Sequence, residues 1–513
     1  MELRRLNLDL TPDQYLRLDE TLRTHHIVPE GLAWRLVRVA QDARHRKVRF
    51  LVTLDVGAEC ALPPLLPDPR LPIRKPRGRN VVVVGAGPAG LMAAVTLLER
   101  GITPRLVERG AAFPHRHALS RALRVFGRLD SGPAMTSGLG GAGTYSDGKL
   151  LTRKGGSHVR RALQLFAWFA RDPRLLWEAH PHVGSNRLPR LIDGLREHLE
   201  ENGARFFFQT EVTGLLVREG RVTGVTIASG EKIEGDAVVL APGNSARSLF
   251  ESLHRQRVRM LPKPFAVGVR IEHPRELVDR IQLGRSAGHS ACGAARYAFA
   301  FSNLPRAVYS FCMCPGGYVI PTPPEPQCLA VNGMSHAPRS SRFSNAAVVA
   351  AVSPEDWPEH GDSPLGGIEF QRRIERAAFA AGGGRYVAPA QRVTDFLAGR
   401  PSATLPPSSY HPGIASADLS ELLPPPVVAA LRAGLERADR RINGYVTDQA
   451  LAIGVETLTS TPLRILRGAA GFSPSHPGLF PCGEGSGWAG GITSSAADGL
   501  ACGERVADWL ERC

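Results

Sequence analysis

The stretch NVVVVGAGPAGLMAAVTLLERGITPRLVERG, residues 80–110, narrows the choice of fold more than any other part of the chain. Four consecutive valines at 81–84 predict a strand buried on both faces, as in a parallel sheet covered by helices. Gly85-Ala86-Gly87-Pro88-Ala89-Gly90 follows as G-x-G-x-x-G, and an apolar helix is predicted from Pro88 to Arg100, ended by Gly101. Arg105–Glu108 reads as a second short strand, which completes the start of a βαβ unit. In a glycine-rich chain the hexapeptide alone says little. Placed between a strand and a helix, it has a mechanism. Gly85 permits the tight turn, Gly87 lets a diphosphate approach the backbone, and Gly90 lets the helix pack on the strand. The helix start offers free N–H groups and the positive end of the helix dipole. Glu108 stands 23 residues after Gly85, near the spacing of an acid that takes ribose hydroxyls, and its charge would repel a 2′-phosphate. These residues predict a dinucleotide site for FAD or NAD rather than NADP.

Two further glycine clusters bear on that choice. Toward the C-terminus, Gly483, Gly485, Gly487, Gly490 and Gly491 surround Glu484 and Trp488 and lead into SSAADGLACGERVADWL, which reads as a helix. A late glycine loop opening a helix is a second place for backbone to approach a ligand, and it suits a cofactor as long as FAD. A plain nicotinamide dehydrogenase has no need of one. GLGGAGTYSDGKL, residues 138–150, follows no buried strand and is not another fingerprint; it could bring backbone N–H groups, Ser146 or Lys149 against a flavin ring. No second strand–GxGxxG–helix unit is legible, so NAD(P)H is expected at most as a transient electron donor.

A chain of 513 residues has room for about three domains. Residues 1–60 read as a small α/β domain: Leu3–Leu10 partly alternates, Thr11 can cap a helix TPDQYLRLDETL, and residues 48–54 alternate as a strand. Residues 61–79 carry six prolines and read as a linker. Residues 80–254 are assigned to the first part of a Rossmann-type FAD-binding domain, with a β-meander from the runs 205–212, 214–218 and 222–228 and a buried return strand at 236–241. Residues 255–450 are assigned to an inserted mixed α+β substrate domain, and 451–513 to the return to the FAD-binding domain. The fold class expected is thus α/β.

The net charge of +15 comes from six lysines and 57 arginines, scattered without a basic tail, so a nucleic-acid partner is not the first expectation. No apolar run approaches the roughly 18 residues that span a bilayer, and MELRRLNLDLTPDQ does not read as a signal peptide. Eight cysteines are too few for a disulfide framework, which points to a reducing cytoplasm; no set of ligands has the spacing of a metal site. The sequence leaves oligomeric state open.

GAGPAG with ERG at 108–110, GGAGTYSDGKL, and GEGSGWAGGITSSAADG resemble the uncharacterised FAD-dependent dehydrogenases of bacteria, within the glutathione-reductase-like class of two-dinucleotide-binding-domain flavoproteins. FCMCPGGYVIP (311–321), VNGMS (331–335), GIEFQRRIE (367–375) and DARHRKVRF (42–50) fit the same family, so the resemblance covers almost the whole chain. It implies FAD held by Gly85, Gly87, Pro88, Ala89, Gly90, Glu108 and Arg109, with Val212 meeting adenine through its backbone. It also implies that Gly243, Gly483, Glu484, Gly490, Gly491 and Ile492 lie along the cofactor. Where the family would carry a motif like GPEIRTS, this chain has GVETLTS at 454–460.

Since a flavin performs the electron chemistry itself, the protein should supply orientation, charge and a proton. Lys149 is a catalytic candidate, as a cation near the ring or a substrate anion. Cys312 and Cys314 form C-x-C; a regular strand would point both to one face, with one of them, Cys314, as a candidate at the substrate. Tyr410, with His411, sits in a proline-bounded loop and is the third candidate, as an acid or base. The expected function is an FAD-dependent oxidoreductase exchanging a hydride with a small organic substrate. The alternatives are a single-Rossmann flavin monooxygenase using NAD(P)H and oxygen, and a flavin-containing RNA-modifying or RNA-binding protein.

Overall fold

The computed structural model describes residues 3–44, 47–68, 74, 78–129 and 135–512. At its centre is a five-stranded parallel sheet in the order Leu479–Pro481, Ala237–Leu240, Asn80–Val84, Thr103–Val107, Arg205–Phe207. Strand order runs outward in one direction from Asn80–Val84 through Thr103–Val107, and in the other through Ala237–Leu240. The chain therefore switches direction at Asn80–Val84, and a crevice opens beyond the carboxyl ends of these strands. All four valines are buried, as a strand covered on both faces requires. One cover is the Pro88–Glu99 helix, buried from Ala89 to Leu98, with the Ile492–Arg512 helix packed against it. Gly499 permits that approach: a Cβ there would lie 2.2 Å from the Ala89 carbonyl oxygen.

The meander differs from the sequence expectation. Its strands are Val212–Arg218, Arg221–Ile227 and Lys232–Glu234. The expected first run splits: Arg205–Phe207 joins the parallel sheet beside Thr103–Val107, and a turn separates it from Val212. RFFF is apolar enough for either sheet, and local pattern does not say which partner it finds.

Residues after 255 build a seven-stranded mixed sheet in the order Ala300–Phe301, Val308–Cys314, Phe343–Val352, Phe265–Pro274, Leu451–Glu456, Ala388–Arg392, Ile414–Ser416. The boundary expected at 451 falls inside this sheet, because Leu451–Glu456 pairs with Phe265–Pro274 and Ala388–Arg392. The parallel sheet is regained only at Leu479–Pro481. LAIGVE is a fully buried strand with no feature that names its sheet. YSFCMCPGGYVIP also divides: Tyr318–Pro321 leaves the large sheet to pair with Val331–Met334.

The N-terminal unit is a three-stranded antiparallel sheet with Arg49–Gly57 between Arg4–Leu10 and Ala33–Asp42. The expected helix breaks at Arg17 into Pro12–Leu16 and Leu18–Thr24; Thr11 caps it with a capping box to Gln14. Backbone bonds from Val39 to Trp177 and Ala179 tie the unit to the body. The prolines at 69, 72 and 76 of the expected linker lie outside the described residues.

Candidate functional site

The crevice at the switch point is an elongated cleft that collects the three glycine clusters. At Gly85 φ is +97° and a Cβ would fall 2.3 Å from the Ala241 carbonyl oxygen, so only glycine fits. Gly90 does not face the cleft; a Cβ there would lie 2.0 Å from the Gly85 carbonyl oxygen, which makes it a packing glycine between helix and turn. The 138–141 loop lies against this turn, with the Gly140 N–H donating to the Ala86 carbonyl at 2.8 Å. Arg116, wholly buried on the His115–Phe126 helix, donates to the carbonyls of Leu139 and Gly141 and to Thr144. Burial lowers its pKa to about 10, with the guanidinium still charged near neutrality.

Glu108 lines the cleft and also holds its parts together. Its Oε2 accepts from the Ala86 N–H at 3.0 Å, and its Oε1 from the N–H groups of Gly110 and Gly138, each at 2.8 Å. One carboxylate thus joins the first glycine turn, the end of the second strand and the 138–141 loop, while keeping lone pairs for a ligand hydroxyl. Arg109 and Val212 line the same end, and the Arg109 guanidinium, its pKa lowered by burial, donates to the Ser245 carbonyl at 3.3 Å.

Gly243, Gly490, Gly491, Ile492 and Glu484 line the cleft further along, with Pro88 and Ala89. A Cβ at Gly243, Gly490 or Gly491 would meet no protein atom within 4 Å, so backbone is open there to a ligand. Ile492 opens the 21-residue helix to Arg512, and with Ser495 of the same first turn it lines the cleft. Gly483 does not line it; its N–H is bonded to Asp498. Burial pushes the Glu484 carboxyl up to about 7, with Lys263 opposing the shift and Asn244 donating to it at 3.3 Å.

The end away from Glu108 is lined by Lys149, Leu151, Phe311, Cys312, Asn332 and Leu458. Lys149 lies 3.5 Å from Asp147, which is itself clamped by Arg339 at 2.6 Å and by Ser335. Two of the three catalytic candidates need correction. Cys314 is fully buried and does not line the cleft; Cys312 does. Strand alternation fails because Cys312 has φ +47° and the ladder to Phe343–Val352 slips between Phe311 and Cys314. Tyr410 is buried away from the cleft with its hydroxyl on the Tyr386 carbonyl at 2.7 Å, and His411 is exposed at the surface. Its loop is packed as core rather than laid over the site.

Sequence reasoning missed the charges behind this end. Arg270, wholly buried, donates to Glu456 at 3.0 Å, to Asn345 at 2.8 Å and to Asn332 at 3.0 Å. Arg270 inside FAVGVRIEH and Glu456 at the end of LAIGVE were the available signals: each puts a charge on a strand that begins with an apolar run.

Comparison with known proteins places this geometry. Residues 79–125 match the model of an FAD binding domain, residues 179–298 that of an FAD dependent oxidoreductase, and residues 264–459 that of an FAD-dependent protein, C-terminal domain-like. An uncharacterised protein of Clostridium beijerinckii is 40% identical over 83% of this chain and 80% of its own length. The chain belongs to this family of FAD-dependent oxidoreductases.

Protein FixC of Escherichia coli K12 is 30% identical over 42% of this chain and 48% of its own. A geranylgeranyl bacteriochlorophyll reductase-like protein from Thermoplasma acidophilum aligns over 85% of this chain and 79% of that one, at 12% identity and a TM-score of 0.36. The residues of the cleft fit the family's cofactor. The glycine turn and the start of the Pro88–Glu99 helix suit the diphosphate, Glu108 the ribose and the Val212 backbone the adenine. The backbone open at Gly490, Gly491 and Ile492 suits the far half of FAD, which leaves the Lys149 end for its ring. Among the described residues no helix is long and apolar enough to cross a membrane.

Proposed function

We propose that this oxidoreductase exchanges a hydride between flavin N5 and a small organic substrate seated at the Lys149 end of the cleft. What supports the reading most directly is that one continuous cleft runs from the diphosphate turn to a compact side-chain chamber. Phe311 and Leu458 give that chamber apolar walls, beside the exposed Leu151. Asn332 is oriented by Arg270, so its amide meets the substrate without reorganising. Glu484, with a pKa near neutrality, can hold or release the proton that accompanies hydride movement. Lys149 adds a fixed positive charge where negative charge develops.

The test is anaerobic. Purified FAD-loaded protein is mixed with small organic donors, each carrying hydrogen or deuterium at the carbon to be oxidised, and the visible flavin absorbance is followed. Bleaching slowed several-fold by deuterium at that carbon is the expected outcome. Stoichiometric use of NAD(P)H and oxygen with a hydroxylated product would replace this reading with the monooxygenase one. No bleaching with any donor, together with salt-sensitive binding of tRNA, would replace it with the RNA one.

A further inference from the structure

We propose that Cys312 is a nucleophile, paired with the Lys149 ammonium and set beside the buried Cys314 thiol, and that it takes conjugated carbonyl compounds at the Lys149 end of the cleft. Lys149 Nζ lies 3.9 Å from Cys312 Sγ and 3.8 Å from Cys314 Sγ, so one cation serves two sulfurs. Cys314 is wholly buried, whereas Cys312 faces the cleft. The two thiols therefore divide the roles: the inner one donates to the Cys312 carbonyl at 3.4 Å, and the outer one can meet a ligand.

The backbone is set for this. Cys312 adopts the left-handed region at φ +47°, uncommon for a residue with a side chain, and its carbonyl accepts from Arg270 Nη1 at 3.3 Å. The slip in the strand ladder thus moves one sulfur out of regular alternation and fixes it there.

Charged groups reach the sulfur from several elements. Lys149 on the 138–150 loop and Arg270 on Phe265–Pro274 favour a thiolate; Asp147, Glu456 and Glu484 oppose it. Asp147 is largely answered by Arg339, and Glu456 by Arg270. The neighbouring Cys314 thiol is the largest influence on Cys312; with Lys149 and Arg270 it outweighs burial and holds the Cys312 thiol well below its usual range. The neighbouring Cys312 sulfur and burial hold Cys314 well above that range. Burial works to lower the Lys149 pKa, and the two cysteines with Asp147 outweigh it, so the ammonium stays charged.

The neighbouring amide selects the electrophile. Asn332 Oδ1 accepts from Arg270 at 3.0 Å and from the Gly333 N–H at 2.7 Å, which leaves its Nδ2 hydrogens for a carbonyl oxygen. A soft sulfur nucleophile beside a carbonyl-binding donor suits an α,β-unsaturated carbonyl. In the step, a sulfur lone pair forms the S–C bond at the β-carbon, and the C=C pair moves toward the carbonyl oxygen as an enolate. The Lys149 ammonium then gives one proton to the α-carbon. No electrons are gained or lost overall, so the step does not depend on the hydride reading.

The experiment labels FAD-loaded protein with N-ethylmaleimide, itself a conjugated dicarbonyl, in mildly acid buffer, and maps the adducts by mass spectrometry. Cys60, an exposed thiol, is the internal reference. An ordinary thiol, with a pKa of about 8.5, is almost wholly protonated in that buffer. Cys312 is expected to react at least about tenfold faster than Cys60, with a pH–rate midpoint well below that of an ordinary thiol. Lys149→Met should lower that advantage, since only Cys314 and Arg270 then favour the thiolate, and Lys149→Arg should keep it. Cys312 labelling no faster than Cys60, or a midpoint at the ordinary thiol value, overturns the proposal. The pH–rate profile of the unaltered protein decides between these outcomes even if Lys149→Met fails to fold.

Discussion

At the diphosphate end of the cleft, most of what faces a ligand is backbone: the turn at Gly85 and Gly87, the first turn of a helix, and a loop of glycines stitched to them through Glu108. At the Lys149 end, what faces a ligand is side chain, drawn from the 138–150 loop, the Val308–Cys314 strand and the Val331–Met334 strand. Behind it stands a buried Arg270–Glu456 pair joining two further strands. A backbone site recognises what every FAD molecule shares. A site of side chains on a buried ionic frame can be altered one residue at a time, which makes it the place for a particular substrate. The cost differs too: the first end needs glycines, the second needs charges kept paired out of water.

The largest effect is expected where that frame is broken. Arg270→Met leaves Glu456 buried without its cation, removes the donor to Asn345, and leaves Asn332 with the Gly333 N–H. Removing one partner of a buried pair costs about 3–5 kcal/mol. Thermal melting of the FAD-loaded variant should show that loss, and Arg270→Met with Glu456→Leu should recover much of it by replacing the pair with apolar packing. FAD stoichiometry at low temperature should stay near that of the unaltered protein, because no Arg270 contact reaches the glycine turn. A variant that melts normally would show that the pair does not frame this end, and one that folds well but loses FAD would show that the two ends are not built separately.

This difference also explains what the sequence made legible. VVVVGAGPAG carries its structure in local spacing, since strand, turn and helix are adjacent in the chain, and the Pro88–Glu99 helix begins where the pattern puts it. Glu108 could be chosen from its distance to Gly85, although its part in holding the Gly138 N–H depends on a loop 30 residues away. The Lys149 end has no such local code. Arg270 and Glu456 are 186 residues apart, and their meeting follows from strand order. Cys312 rather than Cys314 faces the cleft because of a register slip that C-x-C does not encode. Tyr410 looked like a residue of an open loop, and its burial against Tyr386 comes from packing of segments distant in sequence.

A smaller effect, confined to the first end, is expected of Glu108→Gln. The side chain keeps its shape but has one accepting oxygen in place of two, so it cannot take all three N–H groups now bonded at 2.8–3.0 Å. A hydrogen bond to a charged group is worth about 1.5–3 kcal/mol, which corresponds to FAD affinity lower by roughly ten- to a hundredfold. Fluorescence titration of the apoprotein with FAD measures it. The labelling rate of Cys312 should not move, since none of these bonds reaches the far end. An unchanged affinity would remove Glu108 from the cofactor's binding.

The smallest effect tests the middle of the cleft, where backbone and side chain meet. Glu484 lines it between Gly243 and the Ile492 helix, and burial places its pKa at about 7. Below that pH the carboxyl is neutral and does not oppose the diphosphate; above it, a carboxylate adds negative charge beside an anionic ligand. FAD affinity should therefore weaken as pH rises through about 7, by on the order of two- to tenfold, since Lys263 nearby offsets part of the charge and salt screens part of the rest. Glu484→Gln, neutral throughout, should bind FAD with little pH dependence over the same interval. Titrations across that range at fixed ionic strength decide it. A flat profile in the unaltered protein, or an equal slope in Glu484→Gln, would mean that Glu484 ionises without sensing the cofactor, and the boundary between the two ends would then lie on the phosphate side of Glu484.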